Sequence, residues 1–66
     1  MNHAVPQLVT RANIDDADQL YEELIAAHDG LSVEQSHALN AKLVLILANH
    51  VGSCSIFRQA IDAAKK

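Results

Sequence analysis

The chain has 66 residues, half of them apolar, and a net charge of −3 at pH 7. This length allows one small domain, and the apolar content excludes an intrinsically disordered chain. Scaling rules give a surface of about 4,100 Å² for the folded chain against about 10,300 Å² for the unfolded chain. The free energy gained by burying apolar surface is then no larger than the cost in conformational entropy, so an isolated monomer is marginally stable. We therefore expect the fold to need a staple or a partner.

Cysteine and histidine usage limits which staple is available. Cys54 is the only cysteine, which excludes an intrachain disulfide and suits a reducing, cytoplasmic compartment. The four histidines have no zinc-finger spacing. Oligomerisation, with a dimer favoured, is then the expected way to complete the core.

The sequence contains no feature of a membrane span or of a targeting signal. Its longest apolar run, Leu43 to Ala48, is much shorter than the roughly 20 residues that a transmembrane helix needs. Residues 1–6 have neither the basic flank nor the long apolar stretch of a signal peptide. We expect a cytoplasmic protein without a membrane partner.

Residues 1–14 are predicted to form an extended N-terminal arm, and residues 15–66 a single helical domain. The arm has no helical periodicity, and Pro6 interrupts any helix. Its apolar residues, among them Val5 and Leu8, are expected to dock on a neighbouring element or to fray.

Three helices are predicted in the domain, at about 16–29, 33–51 and 54–64. In the first, apolar residues recur at the spacing of one helical face, Asp15 or Asp16 can serve as N-cap, and Gly30 ends the helix. The second begins with a capping box formed by Ser32 and Gln35. The sequence therefore predicts an all-α, three-helix unit completed by oligomerisation.

The second helix is apolar over about two thirds of its circumference, so it must be covered on more than one side. Two short helices of the same chain barely suffice, which favours a second subunit. Asn40 lies among apolar positions, where a polar side chain often pairs across a helix interface and sets its register. The residues assigned to the interface are Asn40, Leu43, Val44, Leu47 and Val51.

Charge is distributed unevenly along the chain. Residues 15–35 hold seven acids and no base, whereas residues 36–66 hold four bases and one acid. This asymmetry suits self-association in which opposite ends meet, and it also suits an ordinary solvated surface. Residues 15–41 contain no lysine or arginine, so no nucleic-acid partner is expected.

One pair of residues has the spacing of metal ligands. Glu34 and His37 form a Glu-x-x-His motif, which places a carboxylate and an imidazole on one helix face as in carboxylate-bridged di-iron bundles. An acid in a first helical turn is also expected for dipole reasons alone. His28, His50 and Cys54 remain open as metal or ligand contacts, and no cofactor is predicted.

Two segments, YEELIAAHDGLS at 21–32 and LNAKLVLILANHVG at 39–52, resemble a small family of short, helical bacterial proteins, the domain of unknown function 2783. The resemblance covers roughly Asp15 to Ile61. It implies genes that lie near those of flavin-dependent oxidoreductases and therefore an accessory protein, and it implies no catalytic residue.

We therefore expect a homo-oligomeric interaction or accessory protein without catalytic activity of its own. Two alternatives stay open: an oligomeric metal or small-ligand binding protein that uses Glu34 and His37, and an accessory subunit of an oxidoreductase.

Overall fold

The computed structural model describes residues 6–66. This part of the chain folds into three α-helices without a strand: α1 Ala17–His28, α2 Val33–Val51 and α3 Cys54–Ala64. The predicted all-α class is confirmed, and each helix begins and ends within one residue of the expected position. Val5, predicted to lie in the arm, is outside the described residues.

Side-chain and glycine caps determine where α1 begins and ends. Asp16 is the N-cap, because its carboxylate accepts a hydrogen bond from the backbone N–H of Gln19 at 3.0 Å. This resolves the choice between the two candidate aspartates. After α1, Gly30 has a φ of 77°, in the left-handed region that glycine enters without a steric penalty. The chain therefore turns sharply before α2.

The predicted capping box starts α2. Ser32 Oγ accepts from the N–H of Gln35 at 3.1 Å, and Gln35 Oε1 accepts from the N–H of Ser32 at 2.9 Å. At the other end, Gly52 has a φ of 75°, and Ser53 Oγ accepts from the N–H of Ile56 at 3.1 Å. One helix thus ends and the next begins within two residues.

The three helices do not enclose a core. No side chain among residues 6–66 is buried, and the molecule measures 52 × 24 × 24 Å. Its radius of gyration is 14.6 Å, whereas a compact chain of this length has about 11 Å. Helices α2 and α3 pack against each other, and α1 packs closely against neither. The three-helix unit is therefore open and elongated.

Candidate functional site

A single histidine ties α1 to α2. His28, the last residue of α1, hydrogen-bonds Ser36 Oγ through Nδ1 at 2.9 Å and Asn40 Oδ1 through Nε2 at 3.1 Å. Because a carboxamide oxygen only accepts, the Nε2 N–H donates to Asn40, and in the neutral imidazole Nδ1 then accepts from the Ser36 hydroxyl. We call these three side chains the elbow triad.

The elbow triad has the hydrogen-bond order of a nucleophile, a base and an orienting group. Acyl transfer also needs hydrogen-bond donors beside the nucleophile to stabilise the oxyanion. The backbone N–H of Ser36 is already bonded to the carbonyl of Ser32 at 2.9 Å within the helix. The arrangement joins two helices, and the Ser36 N–H is not free to stabilise an acyl intermediate.

The structure pairs Asn40, assigned from the sequence to a helix interface, with His28 of the same chain. Sequence reasoning missed the role of Ser36 and left His28 open as a metal or ligand contact. A signal was present, because residues 36 and 40 are four apart and share a face of α2. The tight turn at Gly30 brings the end of α1 beside that face.

Gln59 of α3 fixes the described part of the N-terminal arm. Its Nε2 donates to the carbonyl of Pro6 at 2.8 Å, and its Oε1 accepts from the N–H of Leu8 at 3.1 Å. One carboxamide thereby satisfies two backbone groups of the arm. Residues 6–8 thus dock on α3 of their own chain, and Leu8 is half-buried there.

An open apolar groove of about 270 Å³ lies between α2 and α3. We call it the α2–α3 groove, and its lining is Leu8 from the arm, Val44, Leu47, Ala48 and Val51 from α2, and Ile56, Phe57 and Ala60 from α3. All of these side chains are apolar. Three predicted interface residues, Val44, Leu47 and Val51, therefore share one continuous surface.

Other large apolar side chains are exposed outside this groove. On α2, Leu45 is 70% and Ile46 66% exposed. On α1, the apolar face formed by Leu20, Tyr21, Leu24 and Ile25 is exposed by between 38% and 63% per residue. Leu43, the remaining predicted interface residue, is half-buried. Both α1 and α2 thus present apolar surface that residues 6–66 leave uncovered.

The residues considered for metal binding do not converge on one site. Glu34, His37 and His50 are exposed on α2, and no group of three histidines, cysteines or acids in the described chain could hold a metal ion. Cys54 is also exposed and lines, with Arg58, a separate open groove of about 540 Å³.

Comparison with known proteins identifies a family and assigns no activity. Residues 8–66 match the family model described as "Protein of unknown function (DUF2783)". No curated protein and no solved structure matches the chain. No helix in the described range is long and apolar enough to cross a membrane. The matched range includes the elbow triad, Gln59 and both walls of the α2–α3 groove.

Proposed function

The chain belongs to the DUF2783 family of proteins of unknown function, and for this member we propose a non-catalytic role as a small homo-oligomeric interaction protein whose working form is a dimer. The main support is that residues 6–66 form apolar helix faces without burying any side chain. A fold of this kind becomes stable when a second chain covers those faces.

Surface area supports this proposal. The accessible surface is 6092 Å², whereas a compact monomer of this mass exposes about 4,100 Å². If each chain of a dimer covered a comparable excess, the interface would have the size of an obligate homodimer, about 2,000 to 5,000 Å² in total. Large contiguous apolar patches are rare on soluble monomers and commonly mark interaction sites.

The two-sided exposure of α2 supports an accessory role in addition to self-association. Leu45 and Ile46 lie outside the α2–α3 groove and are among the most exposed apolar residues. A dimer built on the groove leaves this outer surface available to a protein partner. The single cysteine suits a reducing, cytoplasmic compartment.

Sedimentation equilibrium of the full chain tests the proposal. We expect the native protein to have the mass of a dimer from micromolar concentration upward. Leu47→Glu places a charge in the groove, so this variant should lose the dimer and, with it, helix content measured by circular dichroism. Ala38→Glu is the matched control, because it makes the same charge change on the opposite side of α2 from Leu47 and outside both grooves beside α3, so it should remain dimeric.

A native chain that is helical and monomeric at these concentrations would overturn the proposal. Native mass spectrometry of untagged protein from its own host adds a second measurement. A bare homodimer is expected, whereas additional mass of a metal ion or another chain would favour the metal-binding or oxidoreductase-subunit alternative.

A further inference from the structure

We propose that α1 of one copy lies in the α2–α3 groove of a second copy, in an antiparallel, two-fold symmetric dimer. This arrangement rests on the proposed homo-oligomer and specifies which of its surfaces meet. Each chain then supplies α1 to the core of the other. The dimer contains two three-helix clusters, each formed by α1 of one copy and by α2 and α3 of the other.

The first argument is that α1 does not pack closely against α2 or α3 of its own chain, which it meets only at its C-terminal end. Its apolar residues Leu20, Leu24 and Ile25 are 47%, 38% and 53% exposed, although their spacing places them on one face. The helix has 12 residues, and isolated helices shorter than about 12 to 15 residues are marginal in water. A stable α1 therefore needs cover along this face.

The α2–α3 groove provides a matching surface. Its lining is entirely apolar, it is open to solvent, and Leu47 and Val51 on its wall are each about half exposed. An amphipathic helix binds such a groove with apolar residues one helical turn apart. On α1, Leu20 and Leu24 have that spacing and would enter the groove together.

The shape of the molecule selects a reciprocal arrangement. The elbow triad holds α1 beside the N-terminal half of α2, whereas the groove begins at Val44 in the C-terminal half. The molecule is 52 Å long, so its α1 face and its groove lie towards different ends. A two-fold axis that reverses one copy brings α1 of each chain to the groove of the other, and the contact occurs twice.

Charge complementarity favours this orientation over a parallel one. From Asp15 to Gly30 the chain has six acids and no lysine or arginine. Helix α3, which forms one wall of the groove, contains Arg58 and is followed by Lys65 and Lys66; all three bases are exposed, and Asp62 is the one acid of α3. The antiparallel dimer places the acidic α1 beside these bases, whereas a parallel dimer would place the two acidic helices together. Opposite charges across an interface orient the partners and exclude the repulsive register.

A complementation experiment with Leu24→Glu and Leu47→Glu tests the arrangement. Each variant alone is expected to weaken the dimer about tenfold or more, as loss of a central apolar contact typically does. In a mixture, the intact α1 of the Leu47→Glu chain can enter the intact groove of the Leu24→Glu chain. One of the two contacts is then restored, so heterodimers should exceed both homodimers.

Native mass spectrometry of an equimolar mixture measures this directly when one variant is labelled with ¹⁵N. Gln19→Glu on α1 and Ala38→Glu on α2 are the controls, since they make the same charge change outside the proposed contact and should dimerise as the native chain does.

Three results would overturn the arrangement. If Leu24→Glu dimerises like the native chain, or if the mixture forms no excess of heterodimer, α1 does not occupy the groove, although the homo-oligomer itself stands. If the native chain is monomeric, both the arrangement and the proposed function fail. An excess of heterodimer with native behaviour of both controls supports the arrangement.

Discussion

His28 and Gln59 each use one side chain to join two segments that the helices leave apart. His28 connects α1 to α2 through its two ring nitrogens, and Gln59 connects the N-terminal arm to α3 through both atoms of its carboxamide. Both side chains are half-buried. A typical hydrogen bond contributes about 0.5 to 1.5 kcal/mol, so each residue matters in a chain without a closed core.

Replacing Asn40 by alanine should loosen the elbow triad. We expect Asn40→Ala to lower the free energy of unfolding by about 1 kcal/mol relative to Asn49→Ala. Both substitutions lie within α2, so the higher helix propensity of alanine contributes equally to the two free energies of unfolding and cancels in their difference. Urea denaturation followed by circular dichroism at one protein concentration measures the difference. Equal free energies in the two variants would show that the bond from His28 adds no stability.

Removing the Gln59 carboxamide should release the arm. In Gln59→Ala the Leu8 N–H loses its acceptor, so hydrogen exchange of this amide should accelerate about tenfold, which corresponds to roughly 1.4 kcal/mol. Gln59→Glu keeps an acceptor for Leu8 and loses the Nε2 donor to Pro6 and to Ser55, so it should preserve most of the protection. NMR-detected exchange gives both rates. Unchanged protection in the alanine variant would mean that Leu8 is held by other contacts.

At the scale of elements, local capping chemistry sets the helix ends. Asp16, the Ser32–Gln35 capping box and Ser53 each bond backbone N–H groups that have no partner inside their helix. Gly30 and Gly52 then provide the left-handed residues at the two turns. These caps fix the residues at which α2 begins and ends. They thereby also fix which of its apolar residues face α3 and which face solvent.

Gly30 gives a direct test of the turn between α1 and α2. A Cβ added there has no atom within 4 Å, so Gly30→Ala carries only the backbone cost of a left-handed L-residue, about 1 to 2 kcal/mol. Gly30→Asn should cost less, because asparagine tolerates this conformation. Thermal denaturation of both variants measures the order. If asparagine costs as much as alanine, left-handed strain is not the cause of the loss.

For the molecule as a whole, we expect folding and dimerisation to be coupled, so that the chain is stable only when it is associated. The chain buries no described side chain by itself, so in the proposed dimer the interface provides much of the core. Such a protein has no single melting temperature independent of its concentration.

We therefore expect the melting temperature to rise with protein concentration from micromolar to millimolar. A higher concentration favours the dimer by mass action, and only the folded chain binds a second copy. Scanning calorimetry across this range measures the shift, and the control variant Ala38→Glu should show the same dependence as the native chain. A constant melting temperature would mean that folding does not require the partner.

The sequence by itself determined the all-α class, the three helices, their caps and the glycines that separate them. These features depend on interactions within about four residues, such as the bond from Ser32 to Gln35, and a local pattern specifies them fully. The positions of apolar residues around α2 also follow from the sequence, because a helical-wheel projection needs only the residue order. Val44, Leu47 and Val51 were assigned to an interface on that basis, which stays a prediction, and they line one groove.

The tertiary structure decided which distant side chains meet. The bond from His28 to Asn40 spans a turn between two helices, and those from Gln59 reach residues more than 50 positions away. No local periodicity specifies these pairs, because they depend on the angles at which the helices leave Gly30 and Gly52. The same angles keep α1 away from the α2–α3 groove of its own chain, and this separation leaves both apolar surfaces exposed.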